Sequence, residues 1–214
     1  MCIRDRNIAY PLTAFIQAAG TGIGMGGAVM FAIHNGSGDY SRSRKFFGIS
    51  LLLLALSGFL FTLFFLGSGE RILRMFGAEG DILRLGAEYF RYIAFGTLFQ
   101  VMATGIVPFI RNMGSPVTAM FAMTGGFLTN ILLDYILVWV LPYGMTGAAV
   151  ATVIGQAVTL AVCLIFLIRK RELPSLSFDK ETLHMAGKVL FVAISPFGLT
   201  FSPNITLILS LIHI

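Results

Sequence analysis

Apolar residues run along this chain in long unbroken blocks. Five blocks carry no charged residue: 7–33, 46–66, 92–110, 143–168 and 189–214. A sixth, 113–141, carries one, Asp134. Each is about 19 residues or longer, the length a helix needs to cross a ~30 Å hydrocarbon core. With no water to satisfy backbone groups, such segments form helices or closed barrels. Barrel strands alternate apolar and polar positions over about ten residues, and these blocks do not alternate. The pattern therefore predicts an all-α fold, a polytopic membrane helix bundle of six spans.

Composition agrees. Of the 214 residues 57% are hydrophobic and 12% charged, and the mean hydropathy is +0.86. There are too few polar side chains to cover a soluble domain of this size. The two cysteines, Cys2 and Cys163, suggest neither a disulfide framework nor a metal site. The net charge of +5 is carried between the blocks, with no basic cluster interleaved with aromatics, so nucleic acid is not an expected partner. No internal repeat is visible.

The two ends have a feature of their own. Met1-Cys2-Ile3-Arg4-Asp5 can be encoded by ATG TGT ATA AGA GAC, and Leu209-Ser210-Leu211-Ile212-His213-Ile214 by CTG TCT CTT ATA CAC ATC. The reverse complement of the first lies inside the second. Residues 1–6 and 209–214 are accordingly expected to be adaptor-derived, the remainder an internal fragment of a gene, and the start no signal peptide.

Charge orients the spans. The connections 34–45, 111–115 and 169–188 hold nine basic residues, and 67–88 and 141–146 hold three: Arg71, Arg74 and Arg84. The positive-inside rule puts the first set in the cytoplasm. The outer segment 67–88 mixes Ile72, Leu73, Met75 and Phe76 with Glu70, Arg71 and Arg74, which predicts a short amphipathic helix lying at the outer interface. The inner segment 169–188, with Pro174, serines and mixed charge, reads as a linker between two bundles. His34 and His184 read as solvated. Clustered small residues, Gly20, Gly22, Gly24, Gly26 and Gly27 in the first span and Gly144 to Ala151 in the fifth, predict close helix packing or room for a cavity.

Asp134 is the one ionisable residue deep within an apolar block. A carboxylate there costs about 2.5–3.5 kcal/mol on insertion scales, or becomes protonated, and such residues face a protein interior or a watery cavity. Asn130, four residues earlier, shares its helix face. The pair supplies oxygen atoms for a hard cation such as Na+, or hydrogen bonds that tune a proton site; a structural hydrogen-bond role for either is the plainer alternative. Gln17, Gln100, Thr104, Thr152 and Gln156 read as interhelical glue. No nucleophile–base set or phosphate loop appears, and Gly22-Ile23-Gly24-Met25-Gly26-Gly27 follows no strand and is not a dinucleotide fingerprint. The chain does not read as an enzyme.

Three stretches in order, Arg111-Asn112-Met113-Gly114-Ser115-Pro116, then Asn130-Ile131-Leu132-Leu133-Asp134, then Gly144-Met145-Thr146-Gly147-Ala148-Ala149-Val150-Ala151-Thr152 through Gln156, resemble the multidrug and toxic compound extrusion (MATE) family, as does the Gly36-x-Gly38-Asp39 end of the first span. The resemblance covers nearly all of 7–208. It implies twelve helices in two lobes, with 7–168 holding helices two to six of the amino-terminal lobe, 169–188 the cytoplasmic inter-lobe linker, and 189–208 the first helix of the carboxy-terminal lobe. It implies a multi-pass protein of the inner or plasma membrane, monomeric when full length, that needs no cofactor and exports cationic or amphipathic small molecules in exchange for H+ or Na+. It further implies that Thr152 and Tyr89 neighbour Asp134 and Asn130 in the coupling-ion site. The same resemblance implies that helix one, which supplies another acidic residue in many members, is missing from this stretch. Two other readings stand beside it. A lipid-linked oligosaccharide flippase of the same superfamily would need cationic residues deep in the spans, and none is seen; a non-transport membrane scaffold leaves Asp134 unexplained.

Overall fold

The structure is a computed structural model that describes residues 2–75, 80–171, 174–175 and 180–213, with the backbone alone for 2–12, 75, 81–82, 180 and 206–213. Its helices are α1 (Cys2–Gly36), α2 (Tyr40–Met75), α3 (Gly80–Asn112), α4 (Pro116–Asp134), α5 (Gly144–Lys170) and α6 (Lys180–His213). A π-helical turn, Tyr135–Val140, prolongs α4. All six helices hold a segment long and apolar enough to cross a membrane, and no strand occurs among the described residues. The all-α bundle expected from the apolar blocks is the architecture found.

Tight turns join the helices where the sequence supplies the right chemistry. Gly38 and Gly114 take positive φ, 81° and 77°, conformations that cost a side-chain-bearing residue energy. Gly114 is the glycine of the Arg-x-x-Gly motif; it turns the chain so that Pro116 opens α4, where a missing N–H is harmless. Asp39 accepts a hydrogen bond from the Arg42 backbone N–H at 3.1 Å and so caps the start of α2.

α1 and α3 form the centre. α1 packs on α2, α3 and α6; α3 packs on α1, α2 and α5; α4 lies mainly on α5. The glycines of α1 are spent on two faces. Gly20 and Gly24 lie against Val101, Thr104 and Gly105 of α3, and Gly27 against Ser50 of α2 and Phe109 of α3. Gly22 and Gly26, on the opposite side, meet the backbone of α6 at Ala193 and Val189. Of the two readings of these glycines, close packing is the one realised. Aromatic edges fill the space beside them: Phe15 makes edge-on contacts of 5.7 Å with Phe61 of α2 and with Phe197 and Phe201 of α6. Each such pair adds about 0.5–1.5 kcal/mol beyond burial.

Three expectations need correction. Segment 67–88 is not a loop with an interfacial helix. α2 runs unbroken to Met75 and α3 starts at Gly80, with 76–79 outside the described residues. The reason is packing. Leu73 is buried with Ile72 against the same core, and Gly69 and Gly86 let Phe90 and Leu73 close over the joint, so these two positions face the partner helix; the Met75 side chain and Phe76 lie outside the described residues. Arg91, left out of the charge count, is an exposed residue of α3 near this end; nine against four still gives the same orientation. His34 is also not simply solvated. It is half-buried, its Nδ1 is 2.9 Å from the Met30 carbonyl, and its ring stands 4.8 Å from that of Phe46. The linker expected over 169–188 is shorter than drawn, because α5 reaches Lys170 and α6 begins at Lys180; residues 172–173 and 176–179 of it, and Met1 and Ile214 of the terminal segments, lie outside the described residues.

Gly24 gives a test. A Cβ there would collide with the backbone of Gly105, which has no flexible end to move, whereas a Cβ at Gly125 meets nothing within 4 Å. Gly24→Ala is expected to lower stability by about 1–3 kcal/mol, and Gly125→Ala to leave it unchanged or raise it by up to ~1 kcal/mol. Thermal unfolding of the detergent-purified chain, followed by circular dichroism, checks both.

Candidate functional site

Four helices each turn one polar-lined face to a common space. Its walls are Gln17, Thr21, Met25 and Val29 of α1, Thr104, Val107, Pro108 and Arg111 of α3, Met123, Phe127 and Asn130 of α4, and Thr152, Gln156 and Thr159 of α5. The three- and four-residue spacing within each group is that of a single helix face. The cavity holds about 820 Å³, a size suited to a drug-like molecule. Pro108 lies inside α3 and has no N–H to give the Thr104 carbonyl one turn back.

The deep end of the cavity is built by one close helix crossing. A Cβ on Gly126 would strike Thr159 and come within 2.6 Å of the Gly155 carbonyl; a Cβ on Gly155 would lie 2.8 Å from the Gly126 carbonyl and 2.9 Å from the Asn130 Cβ. The paired glycines thus let α4 and α5 touch backbone to backbone and set Asn130 over α5. There the Asn130 Nδ2 donates to the Thr152 Oγ1 at 3.5 Å, while the Thr152 hydroxyl donates to the Ala148 carbonyl at 2.9 Å. The hydroxyl is held as an acceptor for the amide.

Asp134 lies one turn beyond Asn130 on α4, at the point where the helix widens into the π-helical turn. It is half-buried, with its Oδ1 shut off from solvent. Such turns recur at functional sites, because they rotate the side chains that follow. The Gly-x-Thr-Gly motif of α5 braces the turn. Gly144 takes φ 56°, Thr146 donates to Glu88 of α3 at 2.8 Å, and Gly147 lets α5 approach the Leu137 carbonyl, which a Cβ there would meet at 2.8 Å.

Of the four residues singled out from sequence, Asn130 and Thr152 come together on the cavity wall. Asp134 adjoins them from the far side of Asn130 and does not itself line the cavity. Tyr89 is buried in the apolar cluster of Leu54, Phe65, Phe90 and Met145 and does not line it either. Gln17, Thr104 and Gln156, read as glue, are wall residues. Gln100 is glue, its Nε2 donating to the Thr13 carbonyl at 3.4 Å. Arg111 is the charged wall residue that the sequence reading missed. Its position at the end of an apolar block assigned it to a loop, and only its place in the last turn of α3, facing α4, brings it to the cavity. Among the described residues no group of three or more His, Cys, Asp or Glu is gathered, so any cation held here would be held by amide and hydroxyl oxygens with at most one or two carboxylates.

Comparison with known proteins agrees with this geometry. Residues 6–136 match the MatE family model. The multidrug export protein MepA of Staphylococcus saprophyticus is 25% identical over 205 residues, covering 94% of this chain and 45% of that protein. An inward-facing structure of a multidrug-resistance MATE-family transporter of the MOP superfamily superposes with a TM-score of 0.80 at 26% identity, over 92% of this chain and 46% of the transporter. An outward-facing structure of such a transporter gives 0.82 at 27%, over 91% and 45%. The chain spans about half the length of these relatives. With its six spanning helices, these likenesses make it a multi-pass plasma-membrane protein.

The α4–α5 crossing is testable. With Asn130→Cys and Thr152→Cys placed together, an oxidant should form a disulfide readily, since only a hydrogen bond's length separates the parent side chains. Adding Gly155→Leu should force the helices apart and cut cross-linking several-fold. Mobility shift of the membrane-embedded chain on non-reducing gels reads this out.

Proposed function

Because the chain belongs to the MatE family, we propose that it supplies the amino-lobe wall of a secondary antiporter, one that exports cationic or amphipathic compounds in exchange for H+ or Na+ by alternating access. The observation that carries the reading is the placement of Asp134, the carboxylate at membrane depth, one turn from an amide that faces an 820 Å³ cavity. A carboxylate in such surroundings changes its charge at a large electrostatic cost or gain. Loading it with a proton or Na+ removes the negative charge that a cationic group on the substrate would need. The two fluxes are then coupled by competition, since a ligand moves a conformational equilibrium only through its differential affinity for the two states.

Asn130 and Thr152 act as the relay between Asp134 and the cavity. The amide is held from both sides, by Gly155 beneath it and Thr152 beside it, so a change in charge at Asp134 is felt at a fixed wall rather than lost in side-chain motion. The chain superposes about equally on inward-facing and outward-facing relatives. That supports rocking of a rigid lobe around the site rather than rearrangement within it.

The test is Asp134→Asn in the open reading frame that encodes this chain, extended through its flanking DNA. Ion-driven efflux of a fluorescent cationic dye from inverted vesicles is expected to fall to background, with membrane expression and melting temperature retained. Efflux at the parental rate would overturn the assignment of Asp134.

A further inference from the structure

The corner that carries Asp134 is held by a residue pair outside the cavity. The π-helical turn begins directly after Asp134 and ends at Val140. In it the Ile136 carbonyl accepts from the Leu141 N–H at 2.9 Å. The Leu137 carbonyl cannot be served in the same way, because the corresponding donor position is Pro142, which has no N–H. It accepts instead from the Tyr143 N–H at 2.9 Å, and Tyr143 is the N-cap of α5. The turn and the start of α5 are therefore one backbone-linked piece.

That piece is tied to the rest of the bundle at the first turn of α5. The N-terminus of α5 has no side-chain cap and no acidic residue of its own, so its N–H groups and its dipole favour an anion from elsewhere. Apart from Asp134, α4, the turn and α5 as far as Ile168 hold no charged residue. Glu88 of α3 brings the missing charge, its Oε1 accepting from the Thr146 hydroxyl at 2.8 Å. Next to each partner in sequence, Tyr89 and Met145 are buried in one apolar cluster. The clasp is polar at the rim and apolar beneath.

Resting on the reading of Asp134 as the coupling-ion carboxylate, we infer that Glu88 and Thr146 are positioning residues for it. Their hydrogen bond holds the rotation of the π-helical turn and so sets how tightly Asp134 keeps its ion. A π-helical turn takes in one residue more than an α-helical one, so without its brace it can slip toward α geometry, turning Asp134 against α5 by up to about 100°. Neither Glu88 nor Thr146 is a wall residue of the cavity, so substrate contact is no part of the role.

Two measurements decide this. The first uses liposomes holding the carrier from the extended reading frame. The coupling-ion concentration at half-maximal dye efflux is compared with KM for the dye at saturating ion. Thr146→Val and Glu88→Gln should each raise the ion requirement about tenfold, the low end for groups that act through a ligand, and move the dye KM by less than about twofold. Thr146→Ser keeps the hydroxyl and should restore the parental value. An ion requirement unchanged in both variants, or no rescue by serine, would overturn the inference. So would an equal change in ion requirement and dye KM, which is what a clasp that merely supports the fold would give. The second measurement does not depend on transport. Trp139 is the one tryptophan in the sequence and stands exposed in the π-helical turn. Its fluorescence anisotropy in the detergent-purified chain should fall in Thr146→Val and Glu88→Gln and return in Thr146→Ser. If the parent shows no ion-driven efflux, the antiporter reading itself fails; an anisotropy unchanged in both variants would remove the clasp as well.

Discussion

Everything in this bundle depends on how closely backbones approach where side chains are absent. In lipid, helices gain little from burying apolar surface against one another, because the tails outside are as apolar as the neighbour. Contact energy then comes from close dispersion contacts, and glycine permits the closest. Gly20, Gly24 and Gly27 seat α1 on α3 and α2, Gly22 and Gly26 seat it on α6, and Gly126 with Gly155 seat α4 on α5. These are three joints with one chemistry. Where they are absent, as along the outer faces of α4 and α6, large apolar side chains such as Phe121, Leu128 and Phe191 stand exposed.

The site is a by-product of the same joints. Close crossing of α4 on α5 is what brings the Asn130 amide to the Thr152 hydroxyl, and it leaves the wider space between α1, α3, α4 and α5 as a cavity. Its wall mixes amides and hydroxyls with Met25, Val107 and Phe127. The π-helical turn after Asp134 belongs to the same corner, because Gly147 of α5 fits against its Leu137 carbonyl. A substitution at a glycine here would alter chemistry that the glycine never touches.

The fold was legible because a span is a local property. An uninterrupted apolar block of spanning length has one stable form in a bilayer, whatever its neighbours. The family pattern was legible for a related reason: its glycines and its Asn-x-x-x-Asp sit at fixed helical spacing, and the structure gives several of them tasks, Gly114 in a turn, Gly147 and Gly155 in crossings. Segment 67–88 was misread because its apolar positions suit a membrane surface as well as a partner helix, and nothing local separates the two.

The sequence by itself therefore determined the number and character of the spans, their alternation across the bilayer, and the one carboxylate placed at depth, since each follows from the residue's own transfer energy. Which polar side chains meet was decided only by tertiary structure. Gln17 and Gln100 look alike in the sequence, yet one lines the cavity and the other ties α3 to α1. Arg111 reads as a loop cation and becomes a cavity wall. Proximity across helices depends on rotation and crossing, which are set by contacts between residues distant in the chain, and those contacts have no signature at any single position.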